Sequence, residues 1–138
     1  MSRVLALDIG TKRIGVAISD PLGITAKPLD YIPNDENAFE KIKSLIEKEN
    51  VSTVVIGLPI TLKGIHGQQV EYTKQFSEKL KSYIPDKNIV FVDERFTTSL
   101  AEKHLSQTKK KKKMKEYVDS LSAVFILQTY LDSVSFGR

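Results

Sequence analysis

Residues 4–20 read VLALDIGTKRIGVAISD, two aliphatic runs joined at Gly10-Thr11-Lys12. Apolar, β-branched runs meeting at a Gly-containing turn predict a hairpin with strands at 3–9 and 13–19. A third extended segment, about 24–32, follows the turn signal Asp20-Pro21-Leu22-Gly23. One residue disturbs the pattern. Asp8 closes the first strand, and an ionised carboxylate buried there costs several kcal/mol unless something compensates it.

Beyond the hairpin, strand and helix signals alternate. Asn34 or Asp35 is placed to cap a helix running to about residue 49, with Phe39, Ile42, Leu45 and Ile46 at helical spacing. VSTVVIGLP (51–59) is short, β-branched and almost wholly apolar, as a strand covered on both faces should be. A second helix fits 68–84, where Val70, Phe76, Leu80 and Tyr83 share a face, and NIVFVDE (88–94) is a further strand ending in two acids. A helix is expected to begin near Thr97–Ser99, and a long apolar helix fills about 116–134. The order βββαβαβα implies an α/β protein whose sheet joins three antiparallel strands to parallel βα units, with helices on both faces. At 138 residues without repeats or a Pro- or Gly-rich linker, the expectation is one domain over 1–138.

Composition narrows the function classes. No apolar run reaches the roughly 18–20 residues of a membrane span, and MSRVLALD lacks the cleavage site of a signal peptide. The absence of cysteine excludes disulfides and thiolate metal sites, and fits a reducing, cytoplasmic address. The net charge of +4 is concentrated in Lys109, Lys110, Lys111, Lys112 and Lys113. Such a segment is either a solvated loop or a contact for a polyanion such as nucleic acid.

Acids interrupt apolar elements at three places: Asp8, the Asp93-Glu94 pair, and Asp119, which shares a helical arc with Ala123, Ile126, Leu127 and Tyr130. Taken singly, Asp8 could cap a turn and Asp119 could pair with a lysine. Taken together, acids at strand ends and on a sheet-facing arc would converge at one edge of the fold. Like charges so gathered require protons, cationic side chains or metal ions. Mg²⁺ suits them, since it takes hard oxygen ligands with water and phosphate, and a pair of such ions about 4 Å apart serves phosphodiester hydrolysis.

Neighbouring residues suit a phosphate substrate. Thr11, Lys12 and Arg13 follow the first acid and can donate to phosphate oxygens, although hairpin chemistry alone also accounts for them. Arg95, Thr97 and Thr98 follow Glu94 where a helix should start, and they fit either a phosphate seat or an ordinary N-cap. The lysine run would contact backbone phosphates without reading sequence. The chain's two histidines are His66, in the loop GIHG, and His104; without cysteine they make no zinc motif.

LDIGTKRIGVAISDPLGITAKPL, VVIGLP, VDERFTT and VDSLSAVFILQTYLD, in that order, resemble the YqgF (RuvX) family of Holliday junction resolvase-like proteins in the ribonuclease H-like superfamily. The resemblance spans nearly the whole chain. It implies a ribonuclease H-like fold and a Mg²⁺- or Mn²⁺-dependent endonuclease. Its implied role is processing the 5′ end of the 16S ribosomal RNA precursor in the bacterial cytoplasm, alone or on a pre-ribosomal particle, as monomer or homodimer. Alternatives are resolution of branched DNA, or nucleic-acid binding without turnover. The motifs carry the metal-binding and catalytic roles onto Asp8, Glu94 and Asp119. The strand bearing Glu94 should lie two places from the first strand, roughly 10 Å at the backbone. Gly57 between them would leave room for a long side chain, with Asp93 as the fallback ligand. Thr61-Leu62-Lys63-Gly64 and Ser122-Ala123 depart from the family's usual residues, and neither departure removes an expected ligand.

Overall fold

In the computed structural model the described residues are 2–59, 67–94 and 118–136, apart from the side chains of residues 118, 119, 135 and 136. The elements run β1 (Arg3–Ile9), β2 (Arg13–Ser19), β3 (Ala26–Pro33), α1 (Ala38–Lys48), β4 (Val51–Leu58), α2 (Gln68–Tyr83), β5 (Asn88–Asp93) and α3 (Val118–Phe136). The strands form one five-stranded sheet in the order β3-β2-β1-β4-β5. β1 pairs antiparallel with β2, and β2 with β3, whereas β4 lies parallel to both β1 and β5. The mixed sheet expected from the element order is therefore present, and β5 lies two places from β1.

Strand alternation divides the core into two layers. Leu5, Leu7 and Ile9 of β1, with Ile14, Val16 and Ile18 of β2 and Val54 and Ile56 of β4, face one side of the sheet. There they pack with Ile42 and Ile46 of α1 and Phe76 and Leu80 of α2. The opposite face presents the smaller Ala6, Ala17 and Val55 to Ala123, Ile126, Leu127 and Leu131 of α3. Two alanines at the centre of that face allow α3 to lie close to the sheet. Of the arc expected for the last helix, Ala123, Ile126 and Leu127 are buried and Tyr130 packs half-buried against them, while the Asp119 side chain lies outside the described residues.

The β2–β3 ladder contains a bulge. Val16 pairs with Leu29 and Ile14 with Ile32, leaving Asp30 and Tyr31 opposite Gly15 alone. Ser120 of α3 enters this irregularity: its hydroxyl accepts from the Val16 amide at 3.1 Å and donates to the Leu29 carbonyl at 2.7 Å. It satisfies two backbone groups that a regular ladder would pair with each other.

The start of α1 differs from expectation. The N-cap is Asn37, and its side chain makes no capping bond. Asp35 instead accepts from the Asn37 amide at 2.9 Å, one turn ahead of the helix. Asn34 donates to the Gly10 carbonyl and the Tyr72 hydroxyl, each at 2.7 Å. A half-buried carbonyl in the distant β1–β2 turn outcompetes the local cap, because an unsatisfied backbone acceptor costs more than an uncapped amide that water can reach. At the other end of α1, Asn50 takes φ +54° and turns the chain into β4. No helix among the described residues is long and apolar enough to cross a membrane.

Candidate functional site

The candidate site lies where β1, β4 and β5 end together, on the face covered by α3. Asp8 alternates with Ala6 and so shares its face, as Gly57 does with Val55 and Glu94 with Val92. Asp8 is opposite Gly15 of β2, and Gly57 is level with Val92 of β5. Glu94 follows the last residue of β5 and reaches back across β4 towards Asp8.

Gly57 makes that reach sterically feasible. A Cβ at this position would lie 2.6 Å from Oε1 and 2.9 Å from Cγ of Glu94, and 2.4 Å from Cδ1 of Ile126. The glycine therefore holds open the space through which the Glu94 carboxyl passes beneath α3. Any larger residue would push the carboxyl aside or lift the helix.

The electrostatics are those of acids forced together. Burial pushes the Glu94 carboxyl up, and the adjacent Asp8 charge, a hydrogen bond with Asp8 and the Asp93 charge push it further, to about 8. All of these causes act in the same direction, because each disfavours a second negative charge. In the absence of a cation, the pair relieves its repulsion by holding a proton between two carboxylates.

The turn beside Asp8 is fixed from several directions. The Gly10 amide donates to the Arg13 carbonyl at 3.0 Å, and a Cβ on Gly10 would stand 2.5 Å from that oxygen. Glycine is required here by the closeness of the backbone. The Asn34 amide donates to the Lys12 carbonyl at 2.9 Å, and Gln69, at the start of α2, donates to the Ile9 carbonyl at 3.3 Å. Thr11, Lys12 and Arg13 are exposed at the tip.

The structure thus brings Asp8 and Glu94 into contact, with Asp93 close enough to add its charge. Asp119 lies in the first turn of α3, next to Ser120, whose hydroxyl is bonded within one residue of Gly15, the cross-strand partner of Asp8. The Asp119 side chain lies outside the described residues, as do Arg95, Thr97, Thr98, Lys109 to Lys113, His66, His104 and residues 61–64. Among the described residues no trio of His, Asp and Glu side chains is gathered for a cation. The roles of Asn34, Gln69 and Ser120 as supports of the site have no clear signature in the sequence. Only a polar residue straight after a strand hinted at Asn34, and capping explained that equally well.

Comparison with known proteins identifies the family. The model of the RuvX family, described as Holliday junction resolvase, matches residues 2–133. A protein of Sulfurihydrogenibium sp. (strain YO3AOP1) named "Putative pre-16S rRNA nuclease" is 67% identical over 139 residues, covering 100% of this chain and 95% of its own. One of the same name from Listeria monocytogenes serotype 4b is 43% identical, covering 96% of this chain and 99% of its own. Among solved structures, the fowlpox virus resolvase in complex with Holliday junction DNA superposes with a TM-score of 0.58 at 14% identity, over 96% of this chain and 98% of its own. Thermus thermophilus RuvC with a Holliday junction substrate also gives 0.58, at 9% identity, over 98% and 96%. These two likenesses show the fold.

Proposed function

Because the chain belongs to the RuvX family, we propose that it is a metal-dependent endonuclease that hydrolyses a phosphodiester in the 16S ribosomal RNA precursor, maturing its 5′ end. The observation that carries this reading is the Asp8–Glu94 contact through the gap at Gly57. A fold gains no stability from pressing two carboxyls together. The arrangement is explained if a divalent cation replaces the shared proton.

The donor set fits such an ion. Asp8 and Glu94 offer hard oxygens from strands on either side of β4, and Asp119, on the helix crossing the same face, is the proposed third ligand. When bound, Mg²⁺ or Mn²⁺ supplies positive charge to a scissile phosphate and a more acidic water. The rest is done by the chain. Lys12 and Arg13 draw the phosphate backbone to the β1–β2 tip, Thr11 donates to a phosphate oxygen, and the fixed turn holds Asp8 in place while substrate binds. Arg95, Thr97, Thr98 and Lys109 to Lys113 extend the contact with phosphates, so binding weakens steeply with salt. Residues 1–138 act as one ribonuclease H-like domain in the cytoplasm, as a monomer on RNA or on a pre-ribosomal particle.

A second reading has one specific support, the family's description as a Holliday junction resolvase. Cutting a two-fold junction symmetrically would call for a homodimer. One experiment separates these readings from binding without turnover. Precursor RNA and a four-way DNA junction are incubated with the wild type and with Asp8→Asn in Mg²⁺, and the product ends are mapped. Mature 5′ ends from the wild type, lost in a folded Asp8→Asn that still binds RNA, are the expected result. Cutting of the junction alone favours the resolvase, and failure of the wild type to cut either substrate overturns the nuclease.

A further inference from the structure

The bulge in β3 has a consequence on the site's own face. Leu29 and Ile32 both turn towards the α1–α2 layer although they are three positions apart, which strict alternation forbids. The extra residue absorbs the mismatch and leaves Tyr31 on the opposite face. Arg13, which alternates with Gly15 and Ala17, is on that face too. Its guanidinium lies over the Tyr31 ring, 5.4 Å from the centroid. Tyr31 is nevertheless 43% exposed, and Arg13 is exposed as well.

Across the sheet, the residues on this face and at this end run Tyr31 (β3), Arg13 (β2), Asp8 (β1), Gly57 (β4) and, just past β5, Glu94. The row passes from a π face through a cation to the carboxylate pair. β3 stands two strand spacings, roughly 10 Å, from β1. A ring at that distance cannot serve the nucleotide being cut, but it can serve one beside it on the same strand. An exposed tyrosine beside an arginine offers the two contacts that unpaired nucleic acid uses without regard to sequence: a base stacked on the ring and a phosphate on the guanidinium. A paired base has its faces occupied by its neighbours and gains nothing from the ring.

We infer that Tyr31 and Arg13 form a stacking platform for an unpaired nucleotide next to the scissile phosphate, so that this chain acts on single-stranded RNA. The inference rests on the nuclease reading for the word scissile, whereas its binding component stands alone. Arg13 holds the ring in place and contacts the phosphate, and the bulge sealed by Ser120 fixes the ring's direction.

The test measures binding in the Asp8→Asn background, so that nothing is cut. Fluorescence anisotropy is read with a single-stranded RNA oligonucleotide and with a duplex containing the same strand. Tyr31→Ala should weaken single-strand binding about tenfold and leave duplex binding unchanged. Tyr31→Phe should retain the wild-type values. Tyr31→Leu, which preserves apolar bulk on the strand should Tyr31→Ala fail to fold, should lose binding as alanine does. In the cutting-competent protein, Tyr31→Ala should raise KM with kcat retained. Equal losses on single strand and duplex, wild-type binding by Tyr31→Ala, or no binding of single-stranded RNA at all would each overturn the platform. A wild type that never cuts but loses single-strand binding in Tyr31→Ala would sink the nuclease and spare the platform.

Discussion

Two ends of the same sheet treat an acid in opposite ways. Asp20 follows β2 and Asp8 is the penultimate residue of β1, and because these strands run antiparallel the two acids lie at opposite ends of one hairpin. The Asp20 carboxylate accepts from the amides of Ile24 at 2.7 Å and Thr25 at 3.0 Å, which turn the chain into β3. Those amides, Thr25's above all, hold its carboxyl below the usual range. Glu94, against Asp8, is raised by burial and by its acidic neighbours. Both ends pair an aspartate with a glycine-containing turn, so the motif alone does not separate them. What separates them is whether donors or other acids face the carboxylate. The first arrangement is complete in itself, while the second requires a proton or a cation.

The contrast should break most sharply at Glu94. Glu94→Gln should reduce cleavage on the order of a hundredfold or more, by removing a carboxylate proposed to act on the reacting groups. It should also change the pH dependence of stability in metal-free protein. With the folded carboxyl near 8 and the unfolded one near 4.5, the folded state holds the extra proton between those values. Stability therefore falls as pH rises from about 4.5 to about 8 and is level above that. Thermal melts across this range should show that decline in the wild type and a flatter profile in Glu94→Gln. Saturating Mg²⁺ should reverse the decline. A wild-type Tm insensitive both to pH and to Mg²⁺ would show that the carboxyls are not held as a pair.

Gly57→Ala sharpens the same point sterically. The new methyl overlaps the Glu94 carboxyl and the end of Ile126, both flexible, so the chain should fold at a cost of about 1–3 kcal/mol. The displaced carboxyl should cost roughly tenfold in cleavage. Denaturant melts and kinetics on one preparation separate the two effects, and a fully active Gly57→Ala would mean that Glu94 does not need the gap. The smallest effect belongs to Asp20→Ala, expected to lower Tm slightly, chiefly above the usual carboxylate pKa where the charge is present, and to leave cleavage unchanged. Loss of cleavage there would erase the distinction between the two ends.

Much of this was legible in the order of residues. Apolar runs of strand length broken by glycine turns mark the hairpin and the buried β4, and the arc Ala123-Ile126-Leu127 predicts the face on which α3 packs. The strand-end acids declare themselves because burial makes an acid conspicuous in an aliphatic run. The passage of Glu94 across Gly57 follows from strand order once that order is known. The supports of the site were not legible. Asn34 serves a carbonyl 24 positions away and Ser120 serves one 91 positions away, and neither partnership has a local signature. The direction of Tyr31 depends on a bulge, a one-residue irregularity that alternation by its nature cannot anticipate.

The hydroxyl of Ser120 also imposes an order on manufacture. The two groups it joins belong to residues 16 and 29, which leave the ribosome long before residue 120 has been added. Until then the antiparallel half of the sheet carries an open seam, and the helix that roofs the carboxylates does not exist. The last helix both roofs the carboxylates and closes the seam, so the surroundings of the acids are complete only once residue 120 is in place.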